Sequence, residues 1–409
     1  MKHHCYALCM LLLAVASTGF AQNLNWNITG AGARAEGFGG AFIGVADDAT
    51  AIVWNPAGLG QIERTEFSVV GRFLQEVSED KNEFSKTTIE NTYSHFNPNF
   101  ASVAIPFPAG TSNMVLAVAY QSQLDFYYKA GKDSINSTGG ASTITPAVAM
   151  RVGSVFAFGA AANIWLGNAD QTVNMPPWKR DLSFSFTGLN FTGGVLLDFA
   201  GLSTPIPWKV GVTFRSPFTL KSDADRTFTN SAAPSTVKDK FHIDIDMPLM
   251  VGVGTSFRIG ESFTIAGDFE TRMFADKKSN VTVPRTGMSD TTFSSPMSDH
   301  NENLSQVRVG AEYLIVTSSG VFPVRAGFRT VPTLYSNYEW DQTNITYKSK
   351  SAVSGIGFSV GTGFISGSFA LDFAFSHDQY DQTWTDAGKT DYSYKYNVNR
   401  VSGSVIVYL

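Results

Sequence analysis

From about residue 65 to its end, this chain alternates apolar and polar residues with a period of two. That pattern removes most folds from consideration. In residues 262–274, Phe263, Ile265, Phe269 and Met273 share one face, while Ala266, Asp268, Glu270 and Arg272 share the other. Residues 306–313, 322–331 and 368–377 repeat the alternation. Such runs are strands, and helical periodicity is weak throughout. Fourteen candidate strands follow from 65–74 to 392–409, among them 182–200, 207–219, 240–259 and 262–275.

The connections between them alternate long and short. Long ones fall near 75–98, 129–140, 167–181, 220–239, 276–303, 332–352 and 381–391, and are polar. Short ones fall at 108–111, 153, 201–206, 260–261, 318–321 and 366. A transmembrane barrel with tight turns at one end and long loops at the other has this rhythm, whereas a soluble sandwich has no reason for it. The expected fold is all-β: a transmembrane antiparallel β-barrel of about 14 strands.

Composition agrees. Charged residues are 16% of the chain and aromatic residues 13%, with 32 Phe. Mean hydropathy is −0.03. Few charges and many aromatics at neutral hydropathy suit strands with one face in lipid and one in a polar lumen. A net charge of −5 argues against a nucleic-acid partner. Lys2, the apolar run Leu8 to Ala16 and Gly19-Phe20-Ala21 read as a signal peptide over 1–21, too short to span a bilayer. Both cysteines, Cys5 and Cys9, fall inside it, so the exported chain forms no disulfide. The rest divides into 22–60, which is Gly/Ala-rich and does not alternate, and the barrel, 61–409. A barrel this wide needs a plug unless it is an open pore, and 22–60 is expected to fold back into the lumen as a hatch.

The stretch from Gly30 to Leu59, with Asp47-Asp48 and Asn55-Pro56-Ala57, resembles the hatch of the FadL-type outer-membrane transporters. Val307–Ile315 and 323–329 look like late strands of that family. The resemblance implies a plugged fourteen-strand barrel in the outer membrane of a Gram-negative bacterium. It also implies a monomer that passively takes up hydrophobic compounds such as fatty acids or hydrocarbons and releases them sideways. Asn55, Pro56 and Ala57 carry over as hatch residues; that they also set the gate is expected from the fixed φ of Pro56, which holds the turn. PorV-like barrels, which act in protein secretion, share the same start, so a scaffold for a protein partner is the rival.

Other motifs have structural explanations. Gly357-x-Ser359-x-Gly361 matches a nucleophile elbow, but no helix follows the strand that holds it. No catalytic residue and no cofactor are expected. Gly30-x-Gly32-x-x-Ala35 lacks the βαβ context of a dinucleotide site. His95, His242, His300 and His377 have no metal-ligand spacing and read mostly as solvated loop residues. Asp268, Glu270, Arg272, Arg308, Glu312, Arg325 and Arg329 share the lumen face. A ladder of ion pairs is the default there. The alternative is an anchor for an anionic ligand head, with Arg325 and Arg329 the candidates. The loop Met175-Pro-Pro-Trp178-Lys179-Arg180 either packs on itself or offers a docking patch for an amphipathic acid. Alternation also predicts that Phe373→Arg, on the lipid face, costs more than Asp372→Arg in the lumen.

Overall fold

The computed structural model describes residues 25–26, 30–110, 112–131, 134–232, 235–284, 289–386 and 389–409. The expected signal peptide lies outside these. Among the described residues, fourteen antiparallel strands close into one barrel. They are β1 (Glu66–Asn82), β2 (Thr87–Ala109), β3 (Ser112–Asp125, continued by Tyr128–Ala130), β4 (Ile135–Val152), β5 (Phe156–Met175) and β6 (Trp178–Asp198). Next come β7 (Trp208–Arg215 and Phe218–Asn230), β8 (Ser235–Met247 and Met250–Ile259), β9 (Phe263–Arg272 and Lys278–Val283) and β10 (Thr291–Pro296 and Leu304–Thr317). Last are β11 (Gly320–Asp341), β12 (Thr346–Ile365), β13 (Phe369–Asp386) and β14 (Lys389–Tyr408). Closure runs through β1 and β14, from Glu66 opposite Tyr408 to Asn82 opposite Tyr392. Closure satisfies every strand edge, which a bilayer requires.

The long polar connections are a correction to the sequence reading. Strand continues through most of them: β1 runs to Asn82 and β2 resumes at Thr87, so 75–98 is largely a hairpin. Likewise β5 and β6 leave only Pro176 and Pro177 between them within 167–181. Their Ser, Thr and Tyr residues keep strand geometry because cross-strand pairing continues above the apolar band. The barrel is thus a membrane collar with a tall extension at the end opposite the chain's entry into β1.

Along that extension the polarity of the wall inverts. Low on β6, Leu189 and Phe191 face outward and Asn190 and Thr192 inward. Higher on the same strand, Ser183 and Ser185 face outward while Phe184 and Phe186 are buried inside. On β7 and β8 the switch coincides with breaks at Ser216-Pro217 and Pro248-Leu249. Below the break on β7, residues 211 and 213 are buried; above it, 220, 222 and 224 are. Below the break on β8, 250, 252 and 254 are buried; above it, 243, 245 and 247 are. A proline cannot donate to the ladder and marks a bulge or break within a sheet. An interruption that changes the parity swaps the two faces of everything beyond it.

Residues 30–62 lie inside the barrel. They form α1 (Ala33–Gly37), α2 (Ala51–Trp54) and a 3-10 turn (Pro56–Gln61). Phe42, Ile52, Trp54 and Leu59 pack with Val70, Phe100, Ala104, Val115, Ala119 and Ala149 of the wall. Gly30, at φ 68, takes the left-handed conformation that lets the chain turn under the Trp54 ring.

Candidate functional site

The inverted wall turns apolar side chains into the upper lumen, here termed the chamber. Leu124 and Phe126 of the β3 region, Trp165 of β5, Phe184 and Phe186 of β6, Leu220 of β7 and Phe241, Ile243, Ile245 and Met247 of β8 form one buried cluster. Phe126 lies 5.3 Å from Phe186 and 6.2 Å from Phe184. The Trp165 ring donates its N–H to Asn190 at 2.8 Å, so its polar end is satisfied and its ring is left to the chamber. On the facing wall the lumen carries tyrosines instead. Tyr93 and Tyr396 donate to the buried carboxylate of Glu76, and Tyr380 lies 5.1 Å from Tyr396. The apolar surface is therefore one-sided, along β3 to β9.

At its foot, just where β7 and β8 break, a pocket is lined by Trp165, Arg215, Phe218, Met247, Met250, Arg272 and Phe274. Arg215 makes no hydrogen bond or ion pair with the described residues, and its Nε is buried without a partner. Arg272, its cationic neighbour, is bound to Glu270 at 2.8 Å. Glu270 acts on Arg215 but is already held by Arg272 and Arg308, so the pocket carries excess positive charge that something anionic would neutralise. The sequence reading missed this residue. The legible signal was Pro217 and Pro248, prolines inside alternating runs, which place a break beside Arg215.

Arg308, Arg325, Arg329 and Arg400 are instead paired with carboxylates. Arg325 binds Glu312 and Asp372, both at 2.6 Å. Arg329 binds Asp378 at 2.8 Å, and Arg400 reaches the same carboxylate. Arg308 binds Glu270 at 2.9 Å. Arg325 and Arg329 are 1% exposed; their charge is spent on carboxylates, as the ladder reading expects. The ladder extends into the plug. Arg34 binds Glu312 and Asp47, and Glu36 binds Arg72 and accepts from Ser376 and Ser402. Burial pushes the Glu36 carboxyl up, but Arg72, Arg400 and Arg329 outweigh it and hold it down at about 2.

Asn55, Pro56 and Ala57 come together as a joint. The Asn55 side chain donates to the carbonyls of Ile43 and of Val195 on β6, both at 3.1 Å, and accepts from Ala57 N–H. Pro56 opens the 3-10 turn, where its missing N–H costs nothing. On β9, Asp268 accepts from the backbone N–H groups of Phe42 and Ile43 at 2.7 and 2.9 Å.

Met175 and Trp178 pair across the β5–β6 tip, at 56% and 48% exposure. Trp178 stacks on Phe228, Lys179 binds Asp181, and Arg180 donates to Gln171. Ser359 is structural, accepting from Gly39 N–H and donating to the Gly37 carbonyl. Two histidines correct the solvated-loop expectation. His95 bonds Asp125 and stacks on Tyr127 at 4.1 Å, and His300 is buried against the Thr333 carbonyl. Among the described residues no cluster suits a metal.

No protein-family model matches the chain, and no curated protein does. Solved structures share its fold. The Ralstonia pickettii toluene transporter TbuX is 14% identical, covering 92% of this chain and 98% of its own, with a TM-score of 0.61. A Pseudomonas aeruginosa FadL homologue is 12% identical over 90% of this chain and 96% of its own, at 0.66. The P. putida toluene transporter TodX is 11% identical over 94% and 99%, at 0.65. The chain thus shares a β-barrel fold with these transporters over nearly its whole length.

Proposed function

We propose that the protein is a monomeric, non-enzymatic channel of the Gram-negative outer membrane that takes up hydrophobic compounds passively. The observation that carries this reading is the inverted wall above the membrane band. Phenylalanines turned inward beneath a polar exterior make an apolar chamber in water, which offers a lipid-soluble molecule a refuge before the plug. The named transport cargo of structures sharing the fold, toluene in two cases, agrees with it. Met175 and Trp178 at the rim would make first contact. Asn55, Pro56 and Ala57 would set the plug conformation that excludes water.

Arg215 adds amphipathic acids to the cargo, with the tail in the chamber and the carboxylate on the guanidinium. A hydrogen bond to a charged group contributes about 1.5–3 kcal/mol, or roughly ten- to a hundredfold in affinity. Arg215→Met is therefore expected to weaken dodecanoate binding and uptake by at least about tenfold, leaving toluene uptake within about twofold. Equal losses for both compounds, or none for either, would remove Arg215 from the head-group role.

A further inference from the structure

We infer that the upper arm of β12 is a docking edge that takes an extended, acidic segment of another protein as an added strand. Within the bilayer closure satisfies every strand edge, but above it one edge is left open. β12 pairs with β13 only from Ile356 to Ile365. Above Ile356 it still pairs with β11, from Pro332 opposite Ser354 to Asp341 opposite Thr346. There β13 bypasses it and pairs directly with β11, Tyr338 opposite Trp384 and Glu339 opposite Thr385. The arm from Thr346 to Ser354 is therefore laddered on one side alone.

Which backbone groups are open follows from parity. In an antiparallel pair, successive residues alternate between bonding the partner strand and pointing away from it. The Ser336 and Tyr338 carbonyls accept from the Gln382 and Thr385 side chains of β13, at 2.7 and 3.3 Å, so both residues point away from β12. Their partners Ala352 and Ser349 then point away from β11, as does Tyr347, the next such residue along the arm. Among the described residues nothing bonds the backbone N–H and C=O of these three. The arm itself is pinned. Tyr347 donates to Asp391 of β14 at 2.8 Å, Ser349 to Ser336 at 2.7 Å, and Thr333 to the Val353 carbonyl at 2.9 Å. A strand ordered in advance binds without the cost of ordering itself.

Charge selects the partner. Lys348 and Lys350 stand exposed on the arm, 3.8 and 3.6 Å from Asp341 and Glu339. Exposed pairs of this kind hold a lysine weakly, so both cations are free to turn to an incoming strand. Lysine on an edge keeps like edges apart. A second copy pairing antiparallel about Ser349 would set Lys348 against Lys350 twice, and like charges directly opposite destabilise a strand pair. A strand with carboxylates at alternate positions meets the same lysines with opposite charge, and its main chain bonds the open edge. The inference does not depend on the uptake reading.

The test uses the full chain in lipid nanodiscs and a synthetic peptide of alternating Glu and Thr, the length of the arm. Adding the peptide should slow amide exchange in 346–354 at least about tenfold. The same peptide with Gln in place of Glu should bind at least about tenfold more weakly, as should the Glu peptide to a Lys348→Glu, Lys350→Glu variant. Ser349→Pro, which deletes an open donor and spares the ladder to β11, should weaken binding at least about threefold. The exchange measurement uses the unaltered protein, so it stands whether or not the variants fold. Exchange in 346–354 unaltered by the peptide, or equal binding of the Glu and Gln peptides, would overturn the inference. Slowing that follows protein concentration without any peptide would overturn it too, because a second copy would then fill the edge.

Discussion

Arg325→Ala is expected to lower folding stability by about 3–5 kcal/mol, because it leaves the buried Asp372 without its cation and Glu312 with Arg34 alone. Arg325 is the shared partner of Glu312 on β10 and Asp372 on β13, at 2.6 Å each. Glu312 also holds Arg34 of the plug, so the loss should spread to the plug's seat. Urea unfolding in lipid vesicles measures it. Lys179→Ala, which removes an exposed pair with Asp181, should stay within about 1 kcal/mol. A cost below about 1 kcal/mol for Arg325→Ala would mean that the ladder is not what holds these strands in register.

Phe373→Arg should cost about 2–4 kcal/mol, the penalty for a cation on the lipid face near mid-depth. Phe373 is 58% exposed on the outer face of β13, in the apolar band. Phe84, 77% exposed at the β1–β2 tip, is the control: arginine there stands in water and should change stability by less than about 1 kcal/mol. Equal costs would misplace the membrane. Alternation alone suggests Asp372→Arg as the mild counterpart. The ion pair with Arg325 removes that expectation, since arginine there would face arginine across β11 and β13.

The membrane half of the barrel was legible because one rule governs it. Phe263, Ile265 and Phe269 face lipid and Asp268 and Glu270 face the lumen, as period two requires, and β9 pairs β10 in that register. The upper half was misread as loops because polar outward residues there sit in water, so nothing in composition separates an extended hairpin from a long loop. The chamber was hidden by the parity changes at Ser216-Pro217 and Pro248-Leu249. Reading 207–219 and 240–259 as unbroken strands assigns their upper residues to the wrong faces. Arg215 could not be told from the ladder arginines by sequence, because what distinguishes it is that Glu270 is taken by Arg272 and Arg308. The ladder's own membership was visible: Arg325 and Arg329 fall on the lumen face with Glu312, and charges buried together pair.

The plug was legible as a segment through its lack of alternation, but the reason it fits was not. Gly159, Gly194, Gly211, Gly254, Gly310 and Gly327 look in sequence like scattered strand glycines, and only closure brings them to one level under Asn55, Ile43 and Phe38.

The central claim, passive uptake through the chamber, is tested most directly by dodecanoate influx into vesicles that contain only this protein and lipid, with no energy source. The account predicts saturable influx well above that of empty vesicles. It also predicts that Phe241→Asp, which places a charge in the apolar cluster, reduces the influx by at least about tenfold while the barrel stays folded. Influx equal to that of empty vesicles, or unaffected by a folded Phe241→Asp variant, would contradict it.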